Sequence, residues 1–79
     1  MNRDEEIIFR KNFGEVIRRH RKAVQLSQEE LADRANLHRT YISEIERGLK
    51  TVSMISLFRI SKALEIQAYI LIREVENIC

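Results

Sequence analysis

The stretch Gln28-Glu-Glu-Leu-Ala-Asp-Arg-Ala-Asn-Leu-His-Arg-Thr-Tyr-Ile-Ser-Glu-Ile-Glu-Arg47 decides how this 79-residue chain folds. Its pattern is that of two short helices crossing steeply through a tight turn. A steep crossing needs a small residue at the contact, and Ala32 supplies it. The turn needs a positive φ, and Asn36 is one of the few residues besides glycine that adopts one readily. Leu37, Ile42 and Ile45 anchor the second helix from inside, which leaves Arg39, Thr40, Ser43 and Glu44 as a polar outer face. Each feature is common alone. Together, in register, they mark a helix-turn-helix, with an ordinary helical hairpin as the competing reading.

Working outward, Ser27-Gln28-Glu29-Glu30 reads as a capping box. Leu26 before the cap and Leu31 at the fourth helical position form a hydrophobic staple. Gly48 stands where a helix C-terminal glycine belongs. Upstream, Phe9, Phe13, Val16, Ile17 and Val24 recur at helical spacing, with acids Asp4 to Glu6 at the start and bases Arg18 to Lys22 at the end. Downstream, Ser53 is a good N-cap for a helix rich in Met54, Ile55, Leu57, Phe58, Ile60, Ala63 and Leu64. A last segment holds Tyr69, Ile70, Leu71, Ile72, Val75 and Ile78. The predicted architecture is a single all-α domain, 1–79, with helices at about 4–23, 28–35, 38–47, 53–64 and 68–77.

The last two helices carry more apolar residues than one amphipathic stripe needs. The fourth fits a central core helix. For the fifth, a partner subunit is expected to cover Tyr69, Ile70, Leu71, Ile72 and Val75. Burial supports this expectation, because a domain this small is marginal alone. Cys79 is the only cysteine, so no internal disulfide forms, which suits a reducing cytoplasm. The N-terminus lacks the apolar core of a signal peptide, and no apolar run approaches a membrane span. The expected location is cytoplasmic.

Net charge is only +2, but residues 1–26 carry seven basic and four acidic side chains. A polyanion-facing surface accounts for that bias, and a solvated helix face accounts for it equally well. His20, His38 and Cys79 lack metal-ligand spacing, and His20 falls on the apolar side of the first helix as a packing residue. No nucleophile–base set or phosphate loop is present, so neither an enzyme, a cofactor nor a small-molecule ligand is expected.

The stretch resembles the helix-turn-helix of the phage-repressor-like (XRE) family. Within that family, Leu37-His-Arg-Thr-Tyr-Ile-Ser-Glu-Ile-Glu-Arg-Gly48 is most similar to the controller proteins of bacterial restriction-modification systems. The resemblance covers roughly Lys11 to Glu76. It implies a five-helix dimer that binds paired operators upstream of its own gene and the endonuclease gene, activating and then repressing transcription. It also implies a structural ion pair between Arg21 and Glu46. Two positions depart from the family. Gln25 replaces the usual glycine before Leu-Ser-Gln, so that loop is expected to differ, and His38 replaces a better N-cap.

Residue chemistry then assigns roles on double-stranded DNA. Arg39 reads a base, since a guanidinium bonds guanine O6 and N7 together. Thr40 and Ser43 extend that face, and Glu44 is either a cytosine reader or an idle carboxylate. Gln28, at a helix N-terminus, suits a phosphate. His38, Tyr41, Arg47, Lys50, Arg18 and Lys22 are the remaining backbone candidates. If the protein activates transcription, Glu29, Glu30 and Asp33 are placed to touch the RNA polymerase sigma subunit. The rival functions are a phage-type repressor and an antitoxin whose main task is to bind a toxin. Antitoxins usually carry a wrapping tail, and none is read here.

Overall fold

The computed structural model describes residues 1–78 as five helices: α1 (Arg3–Ala23), α2 (Gln28–Ala35), α3 (Arg39–Glu46), α4 (Met54–Ala63) and α5 (Ala68–Ile78). Cys79 lies outside the described residues. No helix among those described is long and apolar enough to cross a membrane.

Local chemistry explains the helix starts. Asn2 begins α1 with a capping box of its own: its side chain accepts from Glu5 N–H at 2.8 Å, and Glu5 Oε1 accepts from Asn2 N–H at 3.0 Å. Ser27 and Glu30 form the reciprocal pair at α2, at 3.0 and 2.8 Å. Ser53 caps α4 through Ser56 N–H at 3.0 Å. His38 starts α3 with no side-chain cap bond.

The first four helices end in one common way. In each, a residue with positive φ is followed by an apolar residue whose N–H reaches back five positions. The donors are Leu26 to Arg21 C=O (3.1 Å), Leu37 to Ala32 (2.9 Å), Leu49 to Glu44 (2.9 Å) and Ile66 to Ser61 (3.0 Å). The turning residues are Gln25 (φ 61), Asn36 (φ 57), Gly48 (φ 76) and Glu65 (φ 57). This is the Schellman arrangement, which satisfies otherwise orphaned helix carbonyls. The loop at Gln25 therefore keeps the left-handed geometry that its missing glycine argued against. Burial of Leu26 and two capping hydrogen bonds outweigh a local strain of about 1–2 kcal/mol.

The core is contributed by all five helices. Val16 and Ile17 of α1, Leu31 of α2, Ile42 and Ile45 of α3, Ile60 of α4 and Leu71 and Val75 of α5 are fully enclosed. Val24, assigned to the inner stripe of α1, instead lies just beyond the helix and is 43% exposed. The larger correction concerns α5. Leu71 and Val75 are 0% exposed within one chain, so they belong to the core and not to a partner-covered face. Ile70 and Ile72 are half-buried, and only Tyr69 of that group is exposed. The cause is packing: α5 lies against both α1 and α4, so two of its sides are covered by its own chain. Among the exposed apolar residues, Met54, Ile55 and Phe58 of α4 share one helix face.

Candidate nucleic-acid interface

The outer face of α3 carries the chemistry of the site. Arg39 and Thr40 stand exposed in its first turn, and Ser43 and Glu44 follow, half-buried. Arg39 makes no ion pair among the described residues, so its guanidinium is available to an external partner. His38 is also exposed and is not consumed by capping. Ile42 and Ile45 point the other way into the core and set which face is presented.

Three groups of contacts hold α3 in place. The first is with α1. Gly14 passes so close to α3 that a Cβ there would collide with the carbonyl oxygens of Ile45 and Glu46. One turn earlier, Arg10 Nε donates to Gly48 C=O at 3.2 Å, capping the end of α3. The second is the ion pair. Arg21 donates through Nε to Glu46 Oε2 at 2.6 Å and through Nη2 to Glu46 Oε1 at 2.9 Å, a bidentate geometry. The hydrogen bonds to Glu46 hold the guanidinium charged above its ordinary range, against the opposing effect of burial. The third is Tyr41, whose hydroxyl donates to Thr51 C=O at 3.3 Å and ties α3 to the loop before α4.

The other assigned residues divide into exposed and engaged. Arg18, Lys22 and Lys50 are exposed, and Lys50 lines an open apolar cleft of about 340 Å³ with Phe9, Phe13, Val52, Leu57 and Ile72. Arg47 is exposed, but its Nε folds back on Ser43 C=O at 3.3 Å. Gln28 is half-buried, and its amide donates to Glu46 Oε1 at 3.1 Å. Glu29 and Asp33 are exposed on α2. Glu30 differs from them: it is bonded into the Ser27 cap, and those bonds hold its carboxyl below the usual carboxylate range. His20 is half-buried as expected, yet it is polar-paired, with Nε2 2.9 Å from Glu74 Oε2. Arg19 lies 3.5 Å from the same carboxylate. These contacts join α1 to α5.

Sequence reasoning missed Gly14, Arg10, the bond from Gln28 to Glu46 and the exposed face of α4. Gly14 had a signal, because a lone glycine inside a helical pattern usually marks a close packing contact. The other three had none, since they depend on how separate helices meet. Among the described residues, no group of His, Cys, Asp and Glu is arranged to hold a metal ion.

Comparison with known proteins places this geometry in context. The family profile described as "Helix-turn-helix" matches residues 17–71. The control protein C.BamHI of Bacillus amyloliquefaciens is 50% identical over 56 residues, covering 70% of this chain and 69% of that one. The control protein C.MunI of a Mycoplasma species is 40% identical over 66 residues, covering 82% of this chain and 89% of that one. The crystal structure of the restriction-modification controller protein C.AhdI from Aeromonas hydrophila superposes with a TM-score of 0.74 at 37% identity, covering 82% and 92% of the two chains.

Proposed function

The chain belongs to the helix-turn-helix family and, within it, to the control proteins of restriction-modification systems, and from that premise we propose that it regulates such a system as a homodimer on paired operators. The operators lie upstream of its own gene and of the endonuclease gene. Occupancy of one favours transcription, and full occupancy represses it. The observation that carries this reading is the unpaired Arg39 at the exposed head of a helix held firmly by its scaffold. Such a group reads a guanine edge in the major groove, with Thr40 and Ser43 beside it. Gln28 contacts a phosphate at the start of α2, Arg18, Lys22, Arg47 and Lys50 add backbone attraction with His38 beside them, and Tyr41, its hydroxyl proton engaged by Thr51, stays with the scaffold.

Dimerisation supplies the second reading helix. Met54, Ile55 and Phe58 on α4, with Tyr69 on α5, form the surface that the partner covers. Lys62 Nζ sits 5.3 Å from the Phe58 ring centre, a cation at the rim of that surface. Activation uses Glu29 and Asp33 on α2 as contacts for the polymerase sigma subunit. Glu30 serves the cap instead. A cytoplasmic location follows from this role.

A footprint on the DNA upstream of the chain's own gene tests the reading. Two half-sites in successive major grooves, about 34 Å apart, are expected. A single unpaired half-site, or a pure monomer on sedimentation at micromolar concentration, overturns the dimer. Substituting Glu29 and Asp33 should lower activation and spare operator binding. Loss of binding instead removes them from the polymerase surface.

A further inference from the structure

The Glu46 carboxylate receives three hydrogen bonds from two different helices. Arg21 of α1 supplies two of them, and Gln28, the first residue of α2, supplies the third through Nε2 to Oε1 at 3.1 Å. The Glu46 side chain is only 3% exposed. Arg21 Nη1 also donates to Leu26 C=O at 2.9 Å, in the loop that leads into α2. One buried carboxylate therefore links α1, the start of α2 and the end of α3.

A carboxylate of this kind only accepts hydrogen bonds. It consequently fixes which end of the Gln28 amide faces inward: the nitrogen turns to Glu46, leaving one N–H and the carbonyl oxygen for the outside. A free glutamine samples many rotamers, and ordering it on binding weakens affinity. Here the ordering is done before DNA arrives. We propose that Glu46 is a positioning residue for DNA binding, holding the Gln28 amide with its second N–H directed to an operator phosphate and locking that contact to the recognition helix. The proposal rests on the reading that Gln28 touches a phosphate. The Arg21–Glu46 pair is then more than a brace, because phosphate contact by α2 and base reading by α3 share one anchor.

The test replaces single operator phosphates by neutral methylphosphonates and measures affinity for wild-type protein and two variants. With wild-type protein, one phosphate per half-site near α2 should matter by about ten-fold, the scale of a hydrogen bond to a charged group. Q28A should bind the natural operator about ten-fold more weakly and lose sensitivity at that phosphate alone. If Q28A keeps full sensitivity at every phosphate, Gln28 makes no phosphate contact and the underlying reading fails. The second variant combines R21M with E46L, which exchanges the buried pair for apolar side chains of similar size and avoids stranding a charge. It should lose sensitivity at the same phosphate and keep it elsewhere. A purely structural role for Glu46 would lower affinity uniformly. If the double variant retains sensitivity at that phosphate while Q28A loses it, Glu46 does not position Gln28. Should the double variant fail to fold, NMR relaxation of the Gln28 side-chain amide in free wild-type protein decides the matter. An order parameter near the rigid backbone value of about 0.85 supports positioning, and one below about 0.6 overturns it.

Discussion

The two halves of the molecule use apolar residues in opposite ways. In the reading half, α2 and α3 bury Leu31, Ala32, Ala35, Ile42 and Ile45 and present a polar exterior that includes Arg39 and Thr40. In the covering half, α4 and α5 bury Ile60, Ala63, Leu71 and Val75 and still leave Met54, Ile55, Phe58 and Tyr69 exposed. A helix that is polar outside declares its orientation. A helix apolar on several sides does not, because hydrophobicity is the same whether a residue meets its own core or another chain. The halves are also stiffened differently. The reading half is held by a buried ion pair, a close glycine contact and a helix cap, whereas the covering half relies on apolar packing, with the His20–Glu74 contact at its edge.

The largest expected effect breaks the anchor of the reading half. Glu46→Ala leaves Arg21 buried without its partner and should destabilise the fold by about 3–5 kcal/mol, measured by urea unfolding. The matching disruption in the covering half is Leu71→Ala, which opens a cavity in the core and should cost about 2–5 kcal/mol. Phe58→Glu, one helix away, separates core from interface: it should leave monomer unfolding nearly unchanged and abolish dimerisation in sedimentation. Equal destabilisation by the Leu71 and Phe58 changes, at a concentration where the wild type is monomeric, would erase the distinction between the two surfaces. Arg39→Ala should leave stability unchanged and weaken operator binding by about 1–3 kcal/mol, relaxing preference at one base pair in a competition assay. The smallest effect is a gain. Gln25→Gly removes left-handed strain at the end of α1 and should raise stability by about 0.5–1 kcal/mol, visible as a modest increase in Tm.

The helix-turn-helix was legible because its signals are local. The Ser27 cap, the left-handed Asn36, the inward isoleucines and Gly48 each act within one or two turns, and all four appear as expected. The reading at Gln25 failed for an equally physical reason. A preference against positive φ is worth about 1–2 kcal/mol, and the motif around it returns more through capping and burial of Leu26. The Arg21–Glu46 pair came from resemblance, not from spacing, since 25 residues separate the two.

By itself, then, the sequence determined five helices, the Ser27 and Ser53 caps, the turns at Asn36 and Gly48 and the polar face of α3, all of which follow from neighbours along the chain. The tertiary structure alone decided which apolar residues of α4 and α5 lie inside. It did so because α1 folds back over α5, enclosing Leu71 and Val75 and leaving Ile55 and Phe58 outside. It also decided that Gln28 and Glu46 share a hydrogen bond, since only the crossing of α2 and α3 brings their side chains to 3.1 Å.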